Sequence, residues 1–226
     1  MKVKKFTKLV LCICLSITCF TCSACKKTID LSQYLSQLIT QVYCSVDSKY
    51  NLKATYGFNE SPSVSDGKIA TKKYFLSFVL KDIIADEQEY LLNFTLKEQT
   101  FNKKFVWDGV KSAFSCKLEV KDFNLLDFEV TISCADDTQV VKMQSILPKD
   151  TIDYKKALNC VYSQQKDLID SYFDQNGVFN GEIKQRIVIK DQKAYWYIGL
   201  TKGNGNVHAL LVDGKNGNIL AVREVF

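Results

Sequence analysis

The chain is expected to be a mainly β, α+β protein: an antiparallel β-sandwich followed by one helix and a four-stranded antiparallel meander. Three observations carry this. Most of the chain after residue 50 alternates apolar and polar residues with a period of two. One long stripe of helical period interrupts it between Tyr154 and Phe173. The two prolines, Pro62 and Pro148, are the only ones, and they fall at expected element boundaries.

In chain order, the first segment is basic at Lys2, Lys4, Lys5 and Lys8, apolar from Leu9 to Phe20, and ends in Ser23-Ala24-Cys25. The apolar stretch is shorter than the roughly 20 residues that a spanning helix needs. A basic start, an apolar core and small residues before a break point make an export signal over residues 1–24. Cys22-Ser23-Ala24-Cys25 resembles a bacterial lipobox, with Cys22 where the family usually has an aliphatic residue. The resemblance implies diacylation of Cys25 and attachment to the outer face of the bacterial cytoplasmic membrane. Two acyl chains suffice for stable anchoring where one is marginal. Cys22 is the alternative modified residue; an uncleaved amino-terminal anchor and plain secretion are the alternative fates.

Removal of this segment takes four lysines and no acid, so the formal net charge falls from +5 to about +1. The apparent basicity belongs largely to targeting, and nucleic acid is not an expected partner. Of nine cysteines, Cys44, Cys116, Cys134 and Cys160 remain beyond Cys25. Their spacing matches no zinc pattern, and no metal or cofactor is expected.

Residues 25–50 are expected to hold the anchor, a linker and a short amphipathic helix, from Leu31, Tyr34, Leu35, Leu38, Ile39 and Val42. Residues 51–148 are expected to form the sandwich. Its strands centre on Leu52 to Phe58, Tyr74 to Leu80, Tyr90 to Leu96, Phe105 to Trp107, Phe114 to Val120, Leu126 to Cys134 and Val140 to Leu147. Each has one apolar face to bury, which two packed antiparallel sheets would do. The resemblance, purely architectural, is to immunoglobulin-like bacterial surface domains. Cys116 and Cys134 are equidistant from a turn near Asn124, so they would face each other across a hairpin. A disulfide and two buried thiols fit that parity equally.

Residues 149–226 begin with the helical stripe Tyr154, Leu158, Val161, Leu168, Ile169, Tyr172 and Phe173, expected to end at Asn176-Gly177. Four strands follow, separated by turns at Asp191-Gln192-Lys193, 202–206 and 213–217. This tail resembles the PepSY family of extracytoplasmic modules, through the helix, the strand Tyr195-Trp196-Tyr197-Ile198 and the hairpin Val212-Asp213-Gly214-Lys215-Asn216-Gly217-Asn218-Ile219. That resemblance implies binding or restraint of peptidases or other envelope proteins, with no catalytic residues to carry over.

His208 is the single histidine, and no serine or cysteine motif accompanies it, so a sheet-face role is expected rather than catalysis. No GxSxG, HExxH, Walker or dinucleotide-binding motif is present. The chain is therefore not expected to be an enzyme. Tyr195, Tyr197 and Trp107 are the aromatics expected to present a binding face. Two readings follow: a lipid-anchored binding or regulatory protein whose tail engages a protein partner, or a receptor for cell-wall glycan or another extracellular ligand that uses the sandwich aromatics.

Overall fold

A strand, not a helix, sits at the centre of the fold. In the computed structural model, which describes residues 29–62, 70–83, 88–135, 137–202 and 205–225, Leu31–Tyr34 makes one 3-10 turn and β1 (Leu35–Val46) follows directly. The expected helix over this stretch is corrected. β1 pairs antiparallel along one edge with β2 (Asn51–Ser61). Its other edge is shared between β10 (Glu182–Lys190), parallel to its first half, and β9 (Asp137–Ser145), antiparallel to its second half. Register shifts fall between Leu35 and Gln37 against β10 and between Ile39 and Gln41 against β2, and Leu35, Leu38, Val42 and Tyr43 are buried from both faces of the strand. A bulge in a strand buried on both faces thus reproduces the three-and-four spacing of a helix. β-Branched Ile39, Thr40 and Val42 favour the extended form.

The remaining strands are β3 (Thr71–Lys81), β4 (Tyr90–Leu96), β5 (Gln99–Lys104), β6 (Val106–Asp108), β7 (Ala113–Glu119) and β8 (Asp127–Cys134). With β9, β1 and β2 they run in the order β5-β4-β8-β9-β1-β2-β3-β7-β6. This is one strongly curved sheet that nearly closes, β5 lying against β7, rather than two separate packed sheets. The chain crosses the seam between β5 and β6 at Phe105, which is buried and whose N–H bonds the Tyr90 carbonyl at 2.8 Å. The interior is filled by Leu52, Leu76, Phe78, Leu92, Phe94 and Phe128 among others, so it is a packed core and not a ligand cup.

Cys116 and Cys134 are inside this core as free thiols, on strands that do not pair: β7 pairs with β3 and β6, β8 with β4 and β9. The expected hairpin between them is therefore corrected. The connection around Asn124 is not a tight turn. It drives Phe123 into the core against Tyr43, Phe94 and Phe128, and Leu125 accepts the Tyr43 hydroxyl at 2.8 Å. Burial pushes the Cys116 thiol up to about 12, and the Cys134 thiol donates to Gln88 at 2.8 Å.

The meander over the tail forms as its turns require: β10, β11 (Lys193–Thr201), β12 (Val207–Asp213) and β13 (Ile219–Val225) pair in sequence. Asp191 and Gln192 both have positive φ, 49° and 60°, the signature of a two-residue type I′ hairpin. At the next hairpin, Asp213 accepts the N–H groups of Lys215 and Asn216, and Gly217 takes φ 80°.

The helical stripe is broken at Gln165 into α1 (Tyr154–Gln164), capped by Asp153, and α2 (Lys166–Asp170). Ala157, Leu158 and Val161 are buried. Gln164 holds α1 to the β12–β13 hairpin by donating to the Gly217 carbonyl and accepting from the Ile219 N–H. Trp196 donates to the Ile152 carbonyl at 3.0 Å, and Gln185 to that of Tyr154 at 3.1 Å. Gly177, at φ 76°, donates its N–H to the Asp174 carbonyl at 3.0 Å in a local turn that lies beyond the end of α2 at Asp170 rather than capping it.

Because β1 pairs with strands of both expected domains, the sheet crosses the expected boundary at Pro148, and residues 31–226 make one compact unit.

Candidate functional site

The meander has two unlike faces. Strand alternation aims Ile183, Gln185, Ile187, Trp196, Ile198, Leu210 and Val212 inward, and all are buried. The opposite face carries the residues between them. Register sets Lys184, Gly199, Ala209 and Arg223 side by side in one row, and Arg186, Tyr197, Leu211 and Ala221 in the next. A third row sets Val188, Tyr195 and Asp213 side by side, and Lys190 meets Lys193 at the hairpin end. Lys184, Arg186, Lys190, Lys193 and Arg223 are all exposed, whereas Tyr195 and Tyr197 are half-buried.

Tyr197 has a local reason for its posture. A Cβ placed on Gly199 would lie 3.3 Å from the Tyr197 ring, so the ring rests across the strip of backbone that glycine leaves bare. The Arg186 guanidinium, on the neighbouring strand, sits 4.6 Å from the ring centroid. A stacked guanidinium keeps its N–H edge outward and loses little freedom on binding an anion. Lys184 pairs with Glu182 at 3.0 Å. Among the described residues no carboxylate makes an ion pair with Arg186, Lys190, Lys193 or Arg223.

The other candidates are distributed elsewhere. Trp107 lies on the edge strand β6, 36 % exposed, with its ring edge-on to Phe114 at 5.1 Å. It is remote in the strand order from Tyr195 and Tyr197, so the three expected aromatics do not form one face. The exposed apolar neighbours of Trp107 are Val106 and Val110, with no second exposed aromatic among the described residues of the barrel. Cys25 and the signal segment fall outside the described residues.

His208 lies under the sheet, on the helix side. Its Nδ1 is 2.8 Å from the Tyr172 hydroxyl, and its Nε2 is 3.3 Å from Glu224. Tyr172 also donates to the Leu200 carbonyl at 3.1 Å. The single hydroxyl proton of Tyr172 is thus placed between two acceptors, the Leu200 carbonyl and, in one imidazole tautomer, Nδ1. Burial, reinforced by the Glu224 charge, pushes the Tyr172 hydroxyl up to about 12. The row ties the chain after α2 to β11, β12 and β13, and the hydroxyl beside the imidazole is that of the buried Tyr172. No group of three or more His, Cys, Asp or Glu side chains suited to a metal occurs among the described residues.

The tyrosines of the site were legible from the alternation of β11. The cations were not, because Lys184, Arg186 and Arg223 acquire a common face only through the register of three hairpins.

Fold and site together define a mainly β protein that presents a basic, tyrosine-bearing sheet face opposite a packed helix. Comparison with protein-family models, with characterised proteins and with solved structures returns no match.

Proposed function

We propose that the protein is a membrane-anchored extracytoplasmic lipoprotein with a non-enzymatic binding role, and that the open face of β10–β13 is its receptor surface for an envelope protein, a peptidase being one candidate. The observation that carries this reading is the open face itself: one side of the meander is sealed by α1, while the other holds Tyr195, Tyr197 and a stacked Arg186. Tyrosine and arginine are the residues that protein interfaces favour, since each supplies contact area and directional hydrogen bonds at low entropic cost. The lipobox-like Cys22-Ser23-Ala24-Cys25 supports the location, and the PepSY-like hairpin supports a protein as the partner. The glycan reading draws less support, because among the described residues of the barrel no second exposed aromatic stands beside Trp107 to build a sugar platform.

Two measurements test the proposal. Mass spectrometry of the native amino terminus should find diacylglycerol on Cys25; an intact Met1 or an unmodified cleaved end would refute the anchor. A photo-crosslinking residue at Tyr195, in the full chain in its native envelope, should capture a discrete protein that the same residue at Lys155 on α1 does not. Equal capture from both positions, or none from Tyr195, refutes the receptor surface.

A further inference from the structure

We infer that the open face of β10–β13 takes an extended acidic segment of its partner, in which carboxylates at alternate positions meet Lys184, Arg186, Lys190, Lys193 and Arg223. This rests on the receptor reading above and names the chemistry that the receptor selects.

Charge distribution is the first argument. Beyond Cys25 the chain is nearly neutral, at about +1, yet five exposed cations stand on one face of four strands. Glu182 is the acid whose ion pair reaches this group, at Lys184. Of the other acids of these strands, Glu224 lies against His208 on the helix side, and Asp213, at the far end of the open face beside Tyr195, spends its carboxylate on the N–H groups of its own turn. Such segregation in a neutral chain orients an anionic partner toward one face.

Spacing is the second. Lys184 and Arg186 share a face two residues apart, about 6.7 Å along the strand. Alternate side chains of an extended peptide have the same spacing, so successive acids can each meet a cation. Across the sheet, Lys184 and Arg223 flank the low floor of Gly199 and Ala209, about 14 Å apart over three strand intervals. A field of this size suits a few extended residues, whereas a stable globular interface covers about 800 Å² on each partner.

The aromatic chemistry selects among polyanions. A single-stranded nucleic acid gains much of its affinity by stacking bases on free aromatic faces. The Tyr197 ring instead rests on Gly199 and carries the Arg186 guanidinium. A bilayer surface favours protruding apolar side chains beside the cations; among the described residues this face offers the exposed Val188 and the half-buried Val207 and Leu211, with no large protruding aliphatic side chain beside the arginines. Carboxylates match the two arginine forks by paired N–H···O bonds.

The test uses the full chain in detergent micelles and a fluorescent octapeptide alternating glutamate with threonine, read by anisotropy. Binding should weaken steeply between about 0.05 and 0.5 M salt. It should vanish for the glutamine-for-glutamate peptide, and fall at least about tenfold in the Arg186→Gln/Arg223→Gln double variant but not in Lys155→Gln. Unchanged affinity in the double variant overturns the inference. So does binding of an oligonucleotide or of phosphatidylglycerol vesicles at this face when the peptide fails. If crosslinking at Tyr195 captures a partner that the peptide does not compete away, the receptor reading stands and the acidic segment falls; if the peptide binds but nothing is captured, the reverse holds.

Discussion

Replacement of Tyr172 by phenylalanine isolates the hydrogen-bonded row beneath the meander. The Tyr172 side chain is 1 % exposed, and its ring stacks on Phe179 with centroids 5.6 Å apart and planes 15° from parallel. Phenylalanine keeps that packing and removes only the hydroxyl. Lost with it are the bond to the Leu200 carbonyl and the contact with His208 Nδ1. Leaving buried polar groups short of a partner costs about 1–3 kcal/mol, more than the net worth of an ordinary hydrogen bond. The expected destabilisation is therefore about 2 kcal/mol. For a domain of this size that is about 4–8 °C in Tm, since each kcal/mol moves it by about 2–4 °C. Urea titration of the Tyr172→Phe protein should shift the midpoint without changing the slope. A loss below about 0.5 kcal/mol would show that the hydroxyl contributes no more than a surface group. The row would then not be what fastens the chain after α2 to the sheet.

Three further outcomes follow from the core. Gly57→Ala should destabilise by about 3 kcal/mol or more in chemical denaturation: its Cβ would fall 1.8 Å from the Leu38 carbonyl oxygen, so the backbones of β1 and β2 must part. A neutral effect would mean that the two strands do not approach there as described. Native protein should show Cys116 and Cys134 unreactive to thiol reagents and fully titrated after unfolding without reductant; thiols that appear only after reduction would contradict their separation on β7 and β8. Stability should also decline as pH rises above about 9. Folded Cys116 and Tyr172 keep their protons up to about 12, while in the unfolded chain they lose them from their ordinary values of 9.0 and 10.0, so alkali favours unfolding. Stability that is flat from pH 9 to 11 in thermal melts would argue against their burial.

Where local chemistry alone dictates structure, the fold was legible in the sequence. The four tail strands and their turns follow from alternation bounded by Asp191-Gln192 and by Asp213 to Gly217, and the structure places them within a residue or two. Leu35 to Val46 misled because its burial comes from neighbours on both edges and both faces, a tertiary condition that period counting reads as a helix. β5 went unseen because Gln99 to Lys104 is an edge with little to bury, so its alternation is weak. Phe123 lies outside any strand, and nothing local shows that it plugs the barrel and prevents a Cys116–Cys134 hairpin. Of the site, Tyr195 and Tyr197 could be found from the parity of one strand. The cationic face could not, since it is assembled from strands up to about 40 residues apart.

Zero-length carbodiimide coupling of the glutamate peptide to the full chain, followed by peptide mapping, tests the acidic-segment account most directly. It joins only carboxylates already in contact with amines. The account predicts products at Lys184, Lys190 and Lys193 that disappear at high salt. Coupling concentrated on the barrel lysines Lys53, Lys73 and Lys117, with the open face unmodified, would contradict it.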